Sequence, residues 1–176
     1  MGRWAALLRA VNVGGRKLPM PELRALCGEL GWTEVASYIQ SGNLVFSASG
    51  ERESLESALE QAIAERFRMD VPVIVRSAAE WRSLAAANPF PGPARDEPGR
   101  LMLLVSKRAP AGGSADALQA KAASGEHVSL AGGALWIHFP EGAGKSKLTP
   151  SLIDRALGSA ATARNFRTVL KIAEML

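Results

Sequence analysis

Hydrophobic and polar positions follow two different periods along the first half of the chain. Four short apolar runs predict β-strands, at residues 3–11, 35–39, 44–47 and 71–76. Three segments with helical spacing of apolar residues predict α-helices, at 21–30, 51–67 and 77–87. The predicted order in this half is therefore β-α-β-β-α-β-α.

The second half repeats this order of elements without visible similarity between the residues. Apolar runs predict strands at 101–107, 128–130 and 135–139, with a weakly patterned fourth strand at 159–163. Helices are predicted at 114–123, at 150–158, and from Asn165 onward, where an asparagine cap precedes an apolar stripe.

Each half matches the split βαβ, or ferredoxin-like, pattern with an extra helix. We therefore predict an α+β protein with an internal duplication of topology, in which antiparallel sheets carry helices on one face. The predicted domains are residues 1–87 and 100–176. Residues 88–99 hold four of the ten prolines and two glycines, which favours a linker there.

The first hairpin predicts which side chains avoid the core. A two-residue turn at Gly42-Asn43 would place Ile39 opposite Phe46 on the core side. Arg9, Tyr38 and Gln40 would then form a binding surface on an exposed face of the sheet. The alternatives are that they are ordinary solvent-facing polar residues, or that the two halves pack on this face.

The second hairpin brings together the chain's two histidines. A two-residue turn at Gly132-Gly133 sets His127 directly across from His138, a separation that permits a shared metal ion. A metal site would need a third ligand, from Glu126 or Glu141. Since no compact motif accompanies the pair, we expect no metal site.

Composition limits the classes of protein that the chain can be. It has 176 residues, 47% of them hydrophobic, so we do not expect the whole chain to be disordered. The single cysteine, Cys27, rules out an internal disulfide, and no apolar run approaches the roughly 20 residues of a membrane span. We expect a cytoplasmic protein without a cofactor or a membrane partner.

The positive charge lies in the second half. Residues 1–90 carry ten basic and ten acidic side chains, whereas residues 91–176 carry eleven and seven, which supplies the whole net charge of +4. Such an excess indicates either an anionic partner or a solvated basic face.

Three loops combine glycine, asparagine or serine with basic residues, and each could hold an anion. Residues 142–147 (GAGKSK) suggest a P-loop, but the Walker pattern requires glycine where Phe139 stands, so we do not expect a nucleotide triphosphatase. Exposed backbone N–H groups there could still bind a phosphate or carboxylate. An anion could also bind to the backbone N–H groups and basic side chains of residues 13–17 (VGGRK), or to those at the start of the helix after Arg164-Asn165. Asn165 is equally well explained as an ordinary N-cap of that helix.

Four segments occur in order along the chain, at 8–15 (LRAVNVGG), 38–46 (YIQSGNLVF), 145–148 (KSKL) and 162–171 (TARNFRTVLK). In these segments the chain resembles a widespread bacterial family of small cytoplasmic proteins that carry a domain of unknown function. Ala10 and Phe166 depart from the more usual glycine and tryptophan. The resemblance covers essentially the whole chain and implies a duplicated ferredoxin-like fold, but it supplies no catalytic residues.

We therefore predict that a small anionic or phosphate-bearing ligand binds in a cleft between the halves. The first half would supply one wall, made of Arg9, Asn12, Gly14, Gly15, Arg16, Lys17, Gln40, Ser41, Gly42 and Asn43. The second half would supply the other, made of Lys145, Ser146, Lys147, Arg164 and Asn165. The alternatives are nucleic-acid binding on an open sheet face and a protein–protein interaction module, and no residue pattern names a reaction.

Overall fold

The computed structural model describes residues 1–15 and 17–176, which form two compact units. The first unit comprises residues 1–81 and 172–176, and the second comprises residues 82–171. No helix within the described residues combines the length and the apolar character needed to cross a membrane.

The first unit contains one four-stranded antiparallel sheet and two helices of its own. Its elements are β1 (Gly2–Leu8), α1 (Met20–Glu29), β2 (Thr33–Tyr38), β3 (Asn43–Ala48), α2 (Arg52–Phe67) and β4 (Val73–Ser77). The strands lie in the order β2-β3-β1-β4, which is the ferredoxin-like arrangement.

The second unit repeats this arrangement. Helix α3 (Ala78–Ala86) begins in the first unit and ends in the second. The second unit continues with α4 (Pro91–Asp96), β5 (Leu101–Ser106), α5 (Ser114–Gln119), β6 (His127–Ala131), β7 (Ala134–His138), α6 (Pro150–Leu157) and β8 (Ala161–Asn165). The strand order is β6-β7-β5-β8. Helix α7 (Phe166–Met175) ends in the first unit.

The predicted α+β fold of two ferredoxin-like halves is confirmed, and so is the weakly patterned fourth strand. β8 pairs with β5 along its whole length, from Ala161 opposite Ser106 to Asn165 opposite Met102. The predicted linker 88–99 contains α4.

Each unit protects the outer edge of its fourth strand with carboxylates from its second helix. Glu60 and Glu56 of α2 accept hydrogen bonds from the backbone N–H groups of Val73 and Val75, at 2.7 and 2.9 Å. In the second unit Asp154 of α6 accepts from the N–H of Ala161, at 3.0 Å. These bonds satisfy donors that an exposed edge strand would otherwise offer to another chain.

The helix-facing side of each sheet forms a core. In the first unit, Trp32 stacks on Phe46 with ring centroids 4.1 Å apart, and both share a cluster with Leu59 and Ile63 of α2. In the second unit, Leu104, Leu135 and Ile137 share a cluster with residues of α5 and α6.

The other side of the first sheet is not open at its centre. Ala5, Leu7, Val45 and Ile74 are all buried there. The expectation of an exposed face was therefore wrong for the centre of the sheet, whereas Arg3, Tyr38 and Arg76 near its margins stay partly exposed.

The first hairpin also departs from the predicted register. Tyr38 pairs with Asn43, so residues 39–42 form a four-residue turn and Ile39 is 52% exposed instead of lying opposite Phe46. The buried Asn43 side chain closes this turn, because its Nδ2 donates to the Tyr38 carbonyl at 3.0 Å and to Ser41 Oγ at 2.9 Å.

Candidate functional site

The loop after β1 is held in shape by one asparagine. Asn12 Oδ1 accepts from the Leu18 backbone N–H at 2.8 Å, and Asn12 Nδ2 donates to the Leu18 carbonyl at 3.1 Å. The same Nδ2 donates to the Gln40 carbonyl at 2.6 Å. Asn12 therefore ties both ends of its own loop together and joins that loop to the β2–β3 turn.

The loop bends through several left-handed residues. Asn12, Gly14 and Gly15 have φ of 55°, 57° and 85°. Nothing lies within 4 Å of where a Cβ on Gly14 or Gly15 would stand, so these glycines serve the backbone conformation and leave the surface open above the chain.

Gly42 is required for a different reason. A Cβ there would stand 2.6 Å from Val11 Cγ2 and 2.7 Å from Leu8 Cβ, and φ is +75°. The Gly42 carbonyl accepts from the Leu8 N–H at 2.8 Å. This close approach fixes the β2–β3 turn against the end of β1.

The two turns surround a surface cavity of about 420 Å³. Four of the predicted ligand-binding residues line it together with Pro19, and these four are Asn12, Gly15, Lys17 and Gln40. Lys17 is exposed, which places a cation at a cavity of ordinary ligand-binding size. Arg16 lies outside the described residues.

The cavity adjoins the start of α1. Pro19 is the residue that precedes the helix, and its side chain caps no backbone N–H. The positive end of the α1 dipole is therefore close to Lys17 and Gly15.

The other described residues of the first half that were predicted to bind the ligand do not line the cavity. Arg9 follows β1 and donates its backbone N–H to the Pro72 carbonyl at 3.0 Å. Ser41, Gly42 and Asn43 build the β2–β3 turn, as described above.

In the second unit, two of the three predicted residues of the 139–149 loop contact carboxylates of the same unit. Ser146 Oγ donates to Glu126, which is buried, and the Lys145 ammonium lies 3.6 Å from Glu141. The Ser146 hydroxyl is the chief reason that the pKa of the Glu126 carboxyl is lowered. Lys147 is exposed beside this buried negative charge.

Arg164 and Asn165 also have structural roles. The Arg164 guanidinium is buried and donates to Thr162 Oγ1 and to the Ala163 carbonyl, both at 2.8 Å. Burial lowers its pKa to about 10, so the group stays charged at neutral pH. Asn165 Oδ1 accepts from the Thr168 N–H at 3.0 Å, which is the helix cap that its sequence context allows.

The histidine register is confirmed, because His127 pairs with His138 and their parallel rings lie 6.2 Å apart. His138 Nε2 lies 2.9 Å from Glu97 Oε2, a partner that the sequence did not indicate. Within the described residues, no group of three or more metal-binding side chains comes together.

Cys27 has no place in the cavity. It is buried in the first core, and burial raises its pKa to about 12, so it stays a thiol at neutral pH. A buried thiol of this kind is a core residue and not a nucleophile.

Two contacts of the candidate loops were not predicted from the sequence. Pro19 lines the cavity, and the closely spaced Pro19 and Pro21, just before and within the first turn of α1, mark this entry to the helix in the sequence. Glu126 binds Ser146 across twenty residues of sequence, and no local pattern indicates that contact.

Comparison with known proteins agrees with this fold. No curated protein matches the chain significantly. Among solved structures, the conserved bacterial protein SP0830 from Streptococcus pneumoniae is similar, with a TM-score of 0.77, 25% sequence identity, and coverage of 99% of this chain and 98% of that protein.

A family model described as a protein of unknown function matches residues 1–136. These residues contain the first sheet, the cavity and β5 and β6 of the second sheet. The chain therefore belongs to the family of proteins of unknown function DUF1697.

Proposed function

We propose that the first unit binds a small ligand that carries a phosphate or carboxylate group. The observation that supports this most directly is the shared cavity of about 420 Å³, where Asn12, Gly15, Lys17 and Gln40 meet. Residues from two separate segments of the sequence were predicted to bind an anion, and they line one cavity.

The chemistry of the lining favours a negative group. Lys17 supplies a flexible point charge, and Gly15 lines the cavity with exposed backbone that no side chain covers. The start of α1 adds the positive end of a helix dipole, although its first turn also carries the carboxylate of Glu22 and Pro21, which has no N–H. Asn12 holds the loop in this conformation before the ligand arrives, which reduces the entropy lost on binding.

We limit the proposal to the first unit because the basic loop of the second unit lies beside its own carboxylates. An anion at Ser146 would approach the buried charge of Glu126, and one at Lys145 would compete with Glu141. We do not favour nucleic-acid binding, because it depended on an open sheet face and the central residues of that face are buried.

Titration calorimetry with inorganic phosphate tests the proposal. We expect Lys17→Gln to weaken phosphate binding by roughly tenfold, the usual effect of losing one charge-assisted hydrogen bond. Lys145→Gln is the matched control, since it removes the same charge from the loop of the second unit, and it should leave the affinity unchanged. Equal losses in both variants, or no heat of binding with the unaltered protein, would contradict the proposal.

A further inference from the structure

The cavity is larger than a simple inorganic anion requires. Orthophosphate has five non-hydrogen atoms, which would take on the order of 150 Å³ if each occupied the volume of a water molecule. The cavity of about 420 Å³ would then remain more than half empty. A ligand that fills it needs a second chemical group.

Two exposed apolar side chains belong to the turns that form this cavity, each next in sequence to a lining residue without lining it itself. Val13 is 56% exposed and follows the lining residue Asn12, while Ile39 is 52% exposed and precedes the lining residue Gln40. Only four large apolar residues among those described are exposed, and the other two are Met1 and Leu170. The hydrogen bond from Asn12 Nδ2 to the Gln40 carbonyl joins the two turns that carry Val13 and Ile39.

The backbone at Ile39 is unusual for its residue type. Its φ is +52°, in the left-handed region that β-branched residues adopt rarely and at a cost. Glycine or asparagine would suit this position better, and a polar side chain would avoid exposing apolar surface to water. Neither the turn nor the core gains from an isoleucine here, whereas strained positions of this kind are frequent at ligand-binding sites.

We propose that the anionic group of the ligand is attached to an apolar group, and that Val13 and Ile39 contact this apolar group at the rim of the cavity. The inference rests on the proposed function, because Lys17 and the glycine backbone bind the anionic end. The ligand class is then an organic phosphate or carboxylate with an aromatic or aliphatic substituent, and the two apolar residues determine the preference for it over a bare anion.

The test compares two probes, inorganic phosphate and phenyl phosphate, by titration calorimetry at equal ionic strength. The unaltered protein should bind phenyl phosphate about ten- to a hundredfold more tightly, the range expected for burying an apolar group of that size. Equal affinities for the two probes would overturn this inference and leave the proposed function standing. Failure of both probes to bind would overturn the proposed function as well.

Variants assign the effect to the two residues. Ile39→Asn and Val13→Ser should each weaken phenyl phosphate binding by roughly three- to tenfold and change inorganic phosphate binding by less than twofold. Leu170→Gln removes an exposed apolar side chain from the second unit and should change neither affinity. Equal weakening of both probes by Ile39→Asn would show a purely structural role and contradict the inference.

Thermal unfolding separates binding from folding. Ile39→Asn should leave the melting temperature unchanged or raise it, because asparagine tolerates the left-handed conformation. Arg68→Asn is the control for this relief of strain, since Arg68 has a φ of 55° at the end of α2 and does not line the cavity. A variant that loses phenyl phosphate binding while keeping its stability identifies a residue retained for the ligand.

Discussion

The two units share one arrangement of strands and helices, and they differ in which of their loops is long. Both have the same strand order and protect the same edge strand with carboxylates. In the first unit the long connection joins β1 to α1, at residues 9–19, and the equivalent connection of the second unit is residues 107–113. In the second unit the long connection joins β7 to α6, at residues 139–149, where the first unit has residues 49–51.

This difference shows that similar loop composition does not produce similar sites. Both long loops contain glycines and lysines, but Asn12 shapes the first loop around a cavity that Lys17 lines. In the second loop, Ser146 and Lys145 are already bound to carboxylates. The packed sheet and helices stabilise both units, and the side-chain contacts within each loop determine which ligands that loop can bind.

The largest effect should come from Gly42, which packs the β2–β3 turn against the end of β1. Gly42→Ala places a Cβ against Val11 and Leu8 and forces alanine into a left-handed backbone. We expect a loss of about 3 kcal/mol of unfolding free energy. Gly144→Ala in the loop of the second unit meets no atom within 4 Å and should cost little. Chemical denaturation measures the free energy of unfolding of both variants, and equal losses in the two would contradict this role of Gly42.

A smaller loss should follow from removing the asparagine side chain. Asn12→Gly keeps a residue that tolerates φ of 55° but removes three hydrogen bonds to backbone groups. We expect about 2 kcal/mol of destabilisation in denaturant, together with faster amide exchange over residues 12–18. Unchanged exchange there would show that Asn12 does not hold the loop.

The hydroxyl of the second loop should matter less, and its effect should depend on pH. The lowered pKa of Glu126 means that its contribution to stability is present above about pH 4.5, the ordinary glutamate value, and is lost as pH falls through its lower folded pKa. Ser146→Ala removes the main cause of that shift. We expect a loss of about 1 kcal/mol at neutral pH that diminishes in acid, measured by denaturation at several pH values. A loss that stays constant with pH would contradict this role of Ser146.

The smallest effect should come from the exposed ion pair. Lys145 and Glu141 are both exposed and 3.6 Å apart, so Lys145→Gln should change thermal stability by no more than experimental error. A clear loss of stability would mean that the second loop depends on its lysine more than its geometry indicates.

The order of elements could be predicted because apolar spacing reports which side of each helix and strand is buried. β8 was harder, since its alanine, threonine and arginine residues do not alternate as an edge strand usually does. Its place follows from pairing with β5, a contact between residues about sixty positions apart that no local pattern records.

The first hairpin illustrates what a local pattern omits. Gly42-Asn43 suits a two-residue turn, but the Asn43 side chain closes a longer one, and Leu8 and Val11 approach Gly42 from another strand end. The loops at residues 13–17 and 142–147 were correctly predicted to share glycines and basic residues. Their difference depends on the Ser146 contact with Glu126, which only the folded chain brings together.

The most direct test of the central claim is a residue-resolved titration of backbone amide NMR signals with inorganic phosphate. We expect saturable shifts at Gly14, Gly15 and Lys17, with no comparable shifts at Gly142, Gly144 and Lys145. Shifts confined to the loop of the second unit, or no saturable shift in either loop, would contradict the assignment of the anion site to the first unit.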